Sequence, residues 1–77
     1  MKEKKILITG ASGFIGKYVL KKIKDNNLDF LAIDTQKVLD VSSENQRVIS
    51  LLDKENLGEV IKSYKPNVIV HLAAIAL

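Results

Sequence analysis

Apolar positions in this chain follow two rhythms. Unbroken runs at residues 6–8, 30–33 and 68–70 show no polar alternation, the pattern of strands covered on both faces. Between them apolar residues recur every three or four positions, the helical period. The runs predict strands over Lys5–Thr9, residues 30–33 with Asp34 closing the strand, residues 47–50, and residues 68–72. A first helix is predicted over residues 13–25, with Ile15, Val19 and Ile23 at four-residue spacing and Leu20 beside them as one buried stripe. Asp25, Asn26 and Asn27 form its stop, since Asn tolerates the left-handed turn that ends helices. A second helix is predicted over residues 54–65, with Leu57, Val60, Ile61 and Tyr64 on one face. Asp53 is its N-cap, and Pro66 ends it by disfavouring helical geometry in the residue before. Residues 35–46 give no period. Val38, Leu39 and Val41 stand there among polar residues, and a loop and a short helix both fit.

Strands alternating with helices predict an α/β chain: a parallel sheet of about four strands with helices on both faces. Ligands of such sheets lie beyond the carboxyl ends of the strands. Gly10, Asp34, Ser50 and residues 71–74 all fall at such ends.

The first strand runs straight into Gly10, Gly13 and Gly16, which recur at three-residue intervals before the helical pattern. That order fits a dinucleotide-binding turn. Gly10 allows a sharp turn without steric cost. The lack of a side chain at Gly13 lets the backbone approach a pyrophosphate, and Gly16 lets the helix pack closely on the strand. The helix's first amides lack partners within the helix and carry partial positive charge, so a phosphate is favoured there. A triphosphate-binding loop does not fit, although Gly16-Lys17 resembles its ending. It needs four residues between its glycines and Ser or Thr after the lysine; here five lie between Gly10 and Gly16, and Tyr18 follows.

Composition narrows the classes. The chain has 77 residues, enough for one small domain, and no cysteine. Disulfide frameworks and thiolate zinc sites are therefore excluded, and no metal site is expected. The missing cysteines agree with a reducing, cytoplasmic setting. No signal-peptide core follows Met1, and no apolar stretch approaches the roughly 20 residues of a membrane helix. Net charge is +3, from an N-terminal lysine cluster and from Lys17, Lys21, Lys22 and Lys24. The helix lysines read as a solvated face. With few aromatics to stack on bases, neither nucleic acid nor membrane is expected as a partner.

Asp34 follows Gly16 at about the 20-residue separation at which a strand-end carboxylate accepts from the ribose hydroxyls of an adenosine. It also repels a 2′-phosphate, and no arginine follows it. NAD is therefore favoured over NADP, with NADP kept open because Lys37 is within reach of a phosphate.

On these motifs the chain resembles the N-terminal part of the extended short-chain dehydrogenase/reductases, the NAD-dependent epimerase/dehydratase family. TGASGFIG, residues 9–16, is similar to the family's TGxxGFIG turn, and PNVIVHLAA, residues 66–74, to its fourth strand. Leu51-Leu52-Asp53 and the helix after it match the element following the third strand. The resemblance implies a Rossmann fold and an adenine dinucleotide. It implies pyrophosphate contacts at Gly10, Gly13, Phe14, Ile15 and Gly16, and a ribose contact at Asp34. Adenine contacts fall at Ser50 and Leu51, and contacts toward the nicotinamide half at Leu72, Ala73 and Ala74. The family usually has Asp where this chain has Ser50, which accepts without charge or binds through its backbone. His71, in the family's HLAA pattern, is expected to be structural.

The family's hydride chemistry uses a Tyr-x-x-x-Lys pair and a Ser or Thr. Tyr64 has Val68 at the lysine position, and Tyr18 with Lys22 sits in the first helix, away from the nicotinamide end. No catalytic residue is therefore expected among the 77; those of a parent enzyme are expected beyond residue 77. Three functions remain open: part of an NAD-dependent enzyme acting on a nucleotide sugar, a non-catalytic NAD(P) sensor, and a binding module without a ligand. The apolar fourth strand implies self-association. Burying one Val, Ile or Leu is worth about 1.5–3 kcal/mol, set against about 5–15 kcal/mol for a whole domain.

Overall fold

Successive residues of a strand point to opposite faces, and the first strand shows what that does here. Ile8 joins one apolar cluster, with Ala32 of the second strand and Leu20 of the first helix. Its neighbour Leu7 joins another, with Leu31 and Ile33, against Leu57, Val60, Ile61 and Tyr64 of the second helix. A computed structural model describes residues 4–72. The elements are β1 (Lys5–Thr9), α1 (Phe14–Asp25), β2 (Asp29–Asp34), a 3-10 turn (Ser43–Asn45), β3 (Gln46–Val48), α2 (Lys54–Tyr64) and β4 (Val68–His71). The sheet order is β3-β2-β1-β4 and every pairing is parallel, so α1 covers one face and α2 the other. Among the described residues no helix is long and apolar enough to cross a membrane.

The α/β architecture matches the expectation, with local differences that have physical reasons. Ile15 is not in the buried stripe of α1. Leu20 and Ile23 are buried as expected and Val19 packs against the core, but Gly16 takes the place of Ile15, because Gly16 lies directly on the preceding turn and swings Ile15 outward. β3 covers Gln46–Val48 rather than residues 47–50. The Ile49 N–H still donates to the Asp34 carbonyl at 2.9 Å, but the Ser50 carbonyl is taken by Asp53 at 3.0 Å, which turns the chain toward α2. Residues 35–45 form a connector with a single 3-10 turn, which buries Val38 and Val41 and leaves Leu39 90% exposed.

Both helix stops use left-handed residues. Asn27 has φ 52°, as its residue type allows. Lys65 has φ 54°, so the residue before Pro66 leaves the right-handed region by the left-handed turn and not by an extended one. Its N–H still donates to the Ile61 carbonyl at 2.9 Å. Asn67 then bonds Lys5 in both directions, N–H to carbonyl at 2.8 Å and side-chain oxygen to N–H at 2.9 Å, which sets the register of β4 on β1.

Candidate functional site

The three glycines after β1 meet different demands. Gly10 has φ 75°, where a side chain is strained, and its N–H donates to the Ile33 carbonyl at 3.0 Å. That bond seats the turn over the carboxyl end of β2. A Cβ on Gly16 would collide with the Ala11 carbonyl. The close approach is thus between α1 and the turn, not between α1 and the strand. At Gly13 a Cβ would meet only the Gly10 carbonyl, at an ordinary 3.9 Å. Among the described residues nothing demands glycine there, and the space beside it is open.

Gly13 is also the N-cap of α1. No side chain caps it and no acidic residue lies in the first turn. α2 differs: Asp53 accepts from the Asn56 N–H at 3.3 Å and Glu55 lies in its first turn. The first turn of α1 therefore carries no acidic residue or side-chain cap of its own, unlike that of α2. The backbones of Phe14 and Ile15 form this open first turn. Their side chains point to solvent, Phe14 with 87% exposure, so any pyrophosphate contact they make is through main-chain amides.

Asp34 stands at the end of β2, opposite this turn. Its Oδ2 accepts from the Ser12 N–H at 3.0 Å and its Oδ1 from the Gln36 N–H at 3.1 Å. Partial burial pushes its pKa up, but the bonds from Ser12, Gln36 and Thr35 outweigh it and hold the carboxyl below its ordinary value. The group is an oriented carboxylate at neutral pH, suited to accepting from a diol.

Gly10, Asp34, Ser50 and Leu51 line one cleft of about 220 Å³, with Ile33, Thr35, Ile49 and Leu52. Four of the expected site residues thus converge. The Ser50 Oγ accepts from the Leu52 N–H at 3.1 Å, so its hydroxyl braces the turn and still has a proton to donate and a second lone pair to accept with. Leu52, Ile49, Thr35 and Ser12 were not anticipated. Leu52 is 90% exposed and gives the cleft an apolar wall. An apolar residue between a strand end and a capped helix was its one signal in the sequence.

Leu72 packs against the α1-side core, and its N–H donates to the Thr9 carbonyl at 3.0 Å. Ala73 and Ala74 lie outside the described residues. The His71 Nδ1 meets the buried Thr9 hydroxyl at 2.6 Å and ties β4 to β1. The Lys22 ammonium sits 5.6 Å from the Tyr18 ring, and Tyr18 lies beside Phe14, Ile15, Lys17 and Lys21, none of which lines the cleft. Among the described residues no group of three or more His, Cys, Asp or Glu side chains is placed to hold a metal ion.

Comparison with known proteins identifies the family. GDP-L-colitose synthase of Yersinia pseudotuberculosis is 32% identical over 71 residues, which are 92% of this chain and 20% of that protein. Methionine adenosyltransferase 2 subunit beta of Danio rerio is 35% identical over 71 residues, 92% of this chain and 21% of that protein. The chain thus spans about a fifth of the length of these curated relatives. The crystal structure of Thermus thermophilus UDP-glucose 4-epimerase in complex with NAD superposes with a TM-score of 0.81 at 28% identity, covering 94% of this chain and 24% of that one. The model of the NAD dependent epimerase/dehydratase family matches residues 6–77, and the chain belongs to that family.

Proposed function

We propose that this chain binds the adenosine-diphosphate half of NAD, and that its 77 residues are the N-terminal part of the dinucleotide-binding domain of a nucleotide-sugar epimerase, dehydratase or reductase. The observation that carries the reading is the uncapped start of α1 beside the open Gly13, with an oriented Asp34 carboxylate across the turn. These residues fit the cofactor. The amides of residues 13–16 would hold the pyrophosphate, Asp34 the adenosine ribose, and the cleft walled by Ile49, Leu51 and Leu52 the adenine. When bound, NAD supplies a nicotinamide that accepts and returns a hydride. The chain's own part is to hold and orient that cofactor, not to move the substrate's protons.

The catalytic Tyr-x-x-x-Lys pair of such an enzyme belongs outside these residues. Ala73 and Ala74 are assigned the nicotinamide side on the motif alone. The Thermus relative, solved with NAD, supports the cofactor, and the nucleotide sugars in the names of several relatives support the substrate class. The open edge of β4, with Val68 and Ile69 exposed, supports self-association of the chain.

A second reading, a dinucleotide-binding regulatory subunit, is favoured by the Danio rerio relative, which is named as a subunit of methionine adenosyltransferase. Both readings require the same cofactor site. Calorimetric titration with NAD, NADP and ADP, on protein shown to be folded by a cooperative melt, tests it. Binding of NAD and ADP is expected. Folded protein that takes up none of the three contradicts both readings.

A further inference from the structure

The connector between β2 and β3 has no strand beside it among the described residues; its Asp40 carbonyl accepts from the Lys24 ammonium at 2.7 Å, and its backbone at Val38 and Val41 is held by one side chain. The side chain of Gln46, 7% exposed at the first position of β3, meets it with both ends of its amide. Oε1 accepts from the Val38 N–H at 2.8 Å, and Nε2 donates to the carbonyls of Val38 at 3.0 Å and Val41 at 2.7 Å. A primary amide presents the same donor and acceptor as a peptide group, so Gln46 acts as the rung that a neighbouring strand would otherwise supply. An apolar residue of the same size would leave these buried polar groups short of partners.

One of the pinned residues, Val38, lies two positions from Gln36 at the candidate site. Val38 follows Gln36 and Lys37, and the Gln36 N–H fixes Asp34 Oδ1. The other oxygen of Asp34 holds the Ser12 N–H in the glycine turn. Gln46 itself lines no part of the cleft beside Asp34.

We propose that Gln46 is a positioning residue for the ribose end of the dinucleotide site. It sets the connector, the connector sets the Gln36 N–H, and that N–H orients the carboxylate that receives the ribose hydroxyls. The inference rests on the cofactor reading above.

The test compares ADP with 2′,3′-dideoxy-ADP, which lacks the hydroxyls Asp34 would receive. Wild type is expected to prefer ADP by about tenfold, the worth of a hydrogen bond to a charged group. Gln46→Met should reduce that preference at least about fivefold while changing dideoxy-ADP affinity less than about twofold. Gln36→Pro, which removes the N–H on Asp34 from an exposed position, should reproduce the loss; if Gln46→Met does not fold, Gln46→Glu, which keeps an acceptor for the Val38 N–H and replaces the Nε2 donor by an oxygen, takes its place with the same expected loss. The double variant should lose no more than either single one, since both act through one chain of contacts. An unchanged preference in the variants, or equal loss for both ligands, overturns the role of Gln46. Wild type that binds neither ligand overturns the cofactor reading itself.

Discussion

The Ser12 amide donates to the Asp34 carboxylate at 3.0 Å, joining the glycine turn after β1 to the end of β2. The two parts of the candidate site that would receive phosphate and ribose are thereby one hydrogen-bonded unit. The Gly10 N–H adds a second tie, to the Ile33 carbonyl. A turn held at two points by the adjacent strand loses little freedom on binding, and preorganisation of that kind favours affinity.

The glycines separate structural from functional demand. Gly16→Ala places a Cβ against the Ala11 backbone and should lower unfolding free energy by about 1–3 kcal/mol, the usual cost of overpacking. Gly58→Ala in α2 meets nothing within 4 Å and should raise it by about 0.4–1 kcal/mol. Gly13→Ala should cost at most about 1 kcal/mol of stability and yet weaken NAD binding. Urea unfolding and calorimetric titration of the three variants measure both quantities.

Asp34 makes stability fall on the acid side. Its native pKa lies below the free value of 3.8, so the native state holds on to the charged form. The stability it contributes is present above that free value and is lost as pH falls through the lower native one. The gap in unfolding free energy between wild type and Asp34→Asn should therefore narrow as pH drops below about 4. A gap constant with pH is the contrary result.

Tyr64 acts at the alkaline end. Its hydroxyl is buried without a partner among the described residues, and desolvation, with the Asp29 charge, raises its pKa above 10.0. Its contribution is full below 10.0 and is lost as pH rises through the raised native value. Tyr64→Phe should remove that alkaline loss and, by deleting an unpaired buried hydroxyl, stabilise the chain by about 1 kcal/mol at neutral pH. Thermal melts at pH 7 and above pH 10 check both.

Self-association should depend on β4. Light scattering at rising concentration should show mass above 8.6 kDa, and Ile69→Lys on the exposed edge should return it toward the monomer. A monomeric mass at every concentration is the contrary result.

Much of this was legible in the sequence because it rested on local chemistry. Gly10 before a helical pattern, Asp34 at a strand end and Asp53 ahead of a helix each carry their reason in a few adjacent residues. Gln46 does not: its partners are backbone groups of Val38 and Val41, in a connector whose residues follow no period. Ser12 was hidden similarly, because its contribution is an N–H that any residue but proline possesses. Ile15 was misplaced because a four-residue repeat cannot show that Gly16, without a side chain, takes the most crowded position.

The central claim is that the amides of residues 13–16 receive the pyrophosphate of NAD. Titrating folded, nitrogen-15-labelled protein with NAD tests it most directly. The account predicts that the largest amide shifts fall on residues 10–16 and on Ser12 and Asp34 in particular. Resonances of that turn unmoved at millimolar NAD, in a sample whose other peaks show a folded sheet, would contradict it.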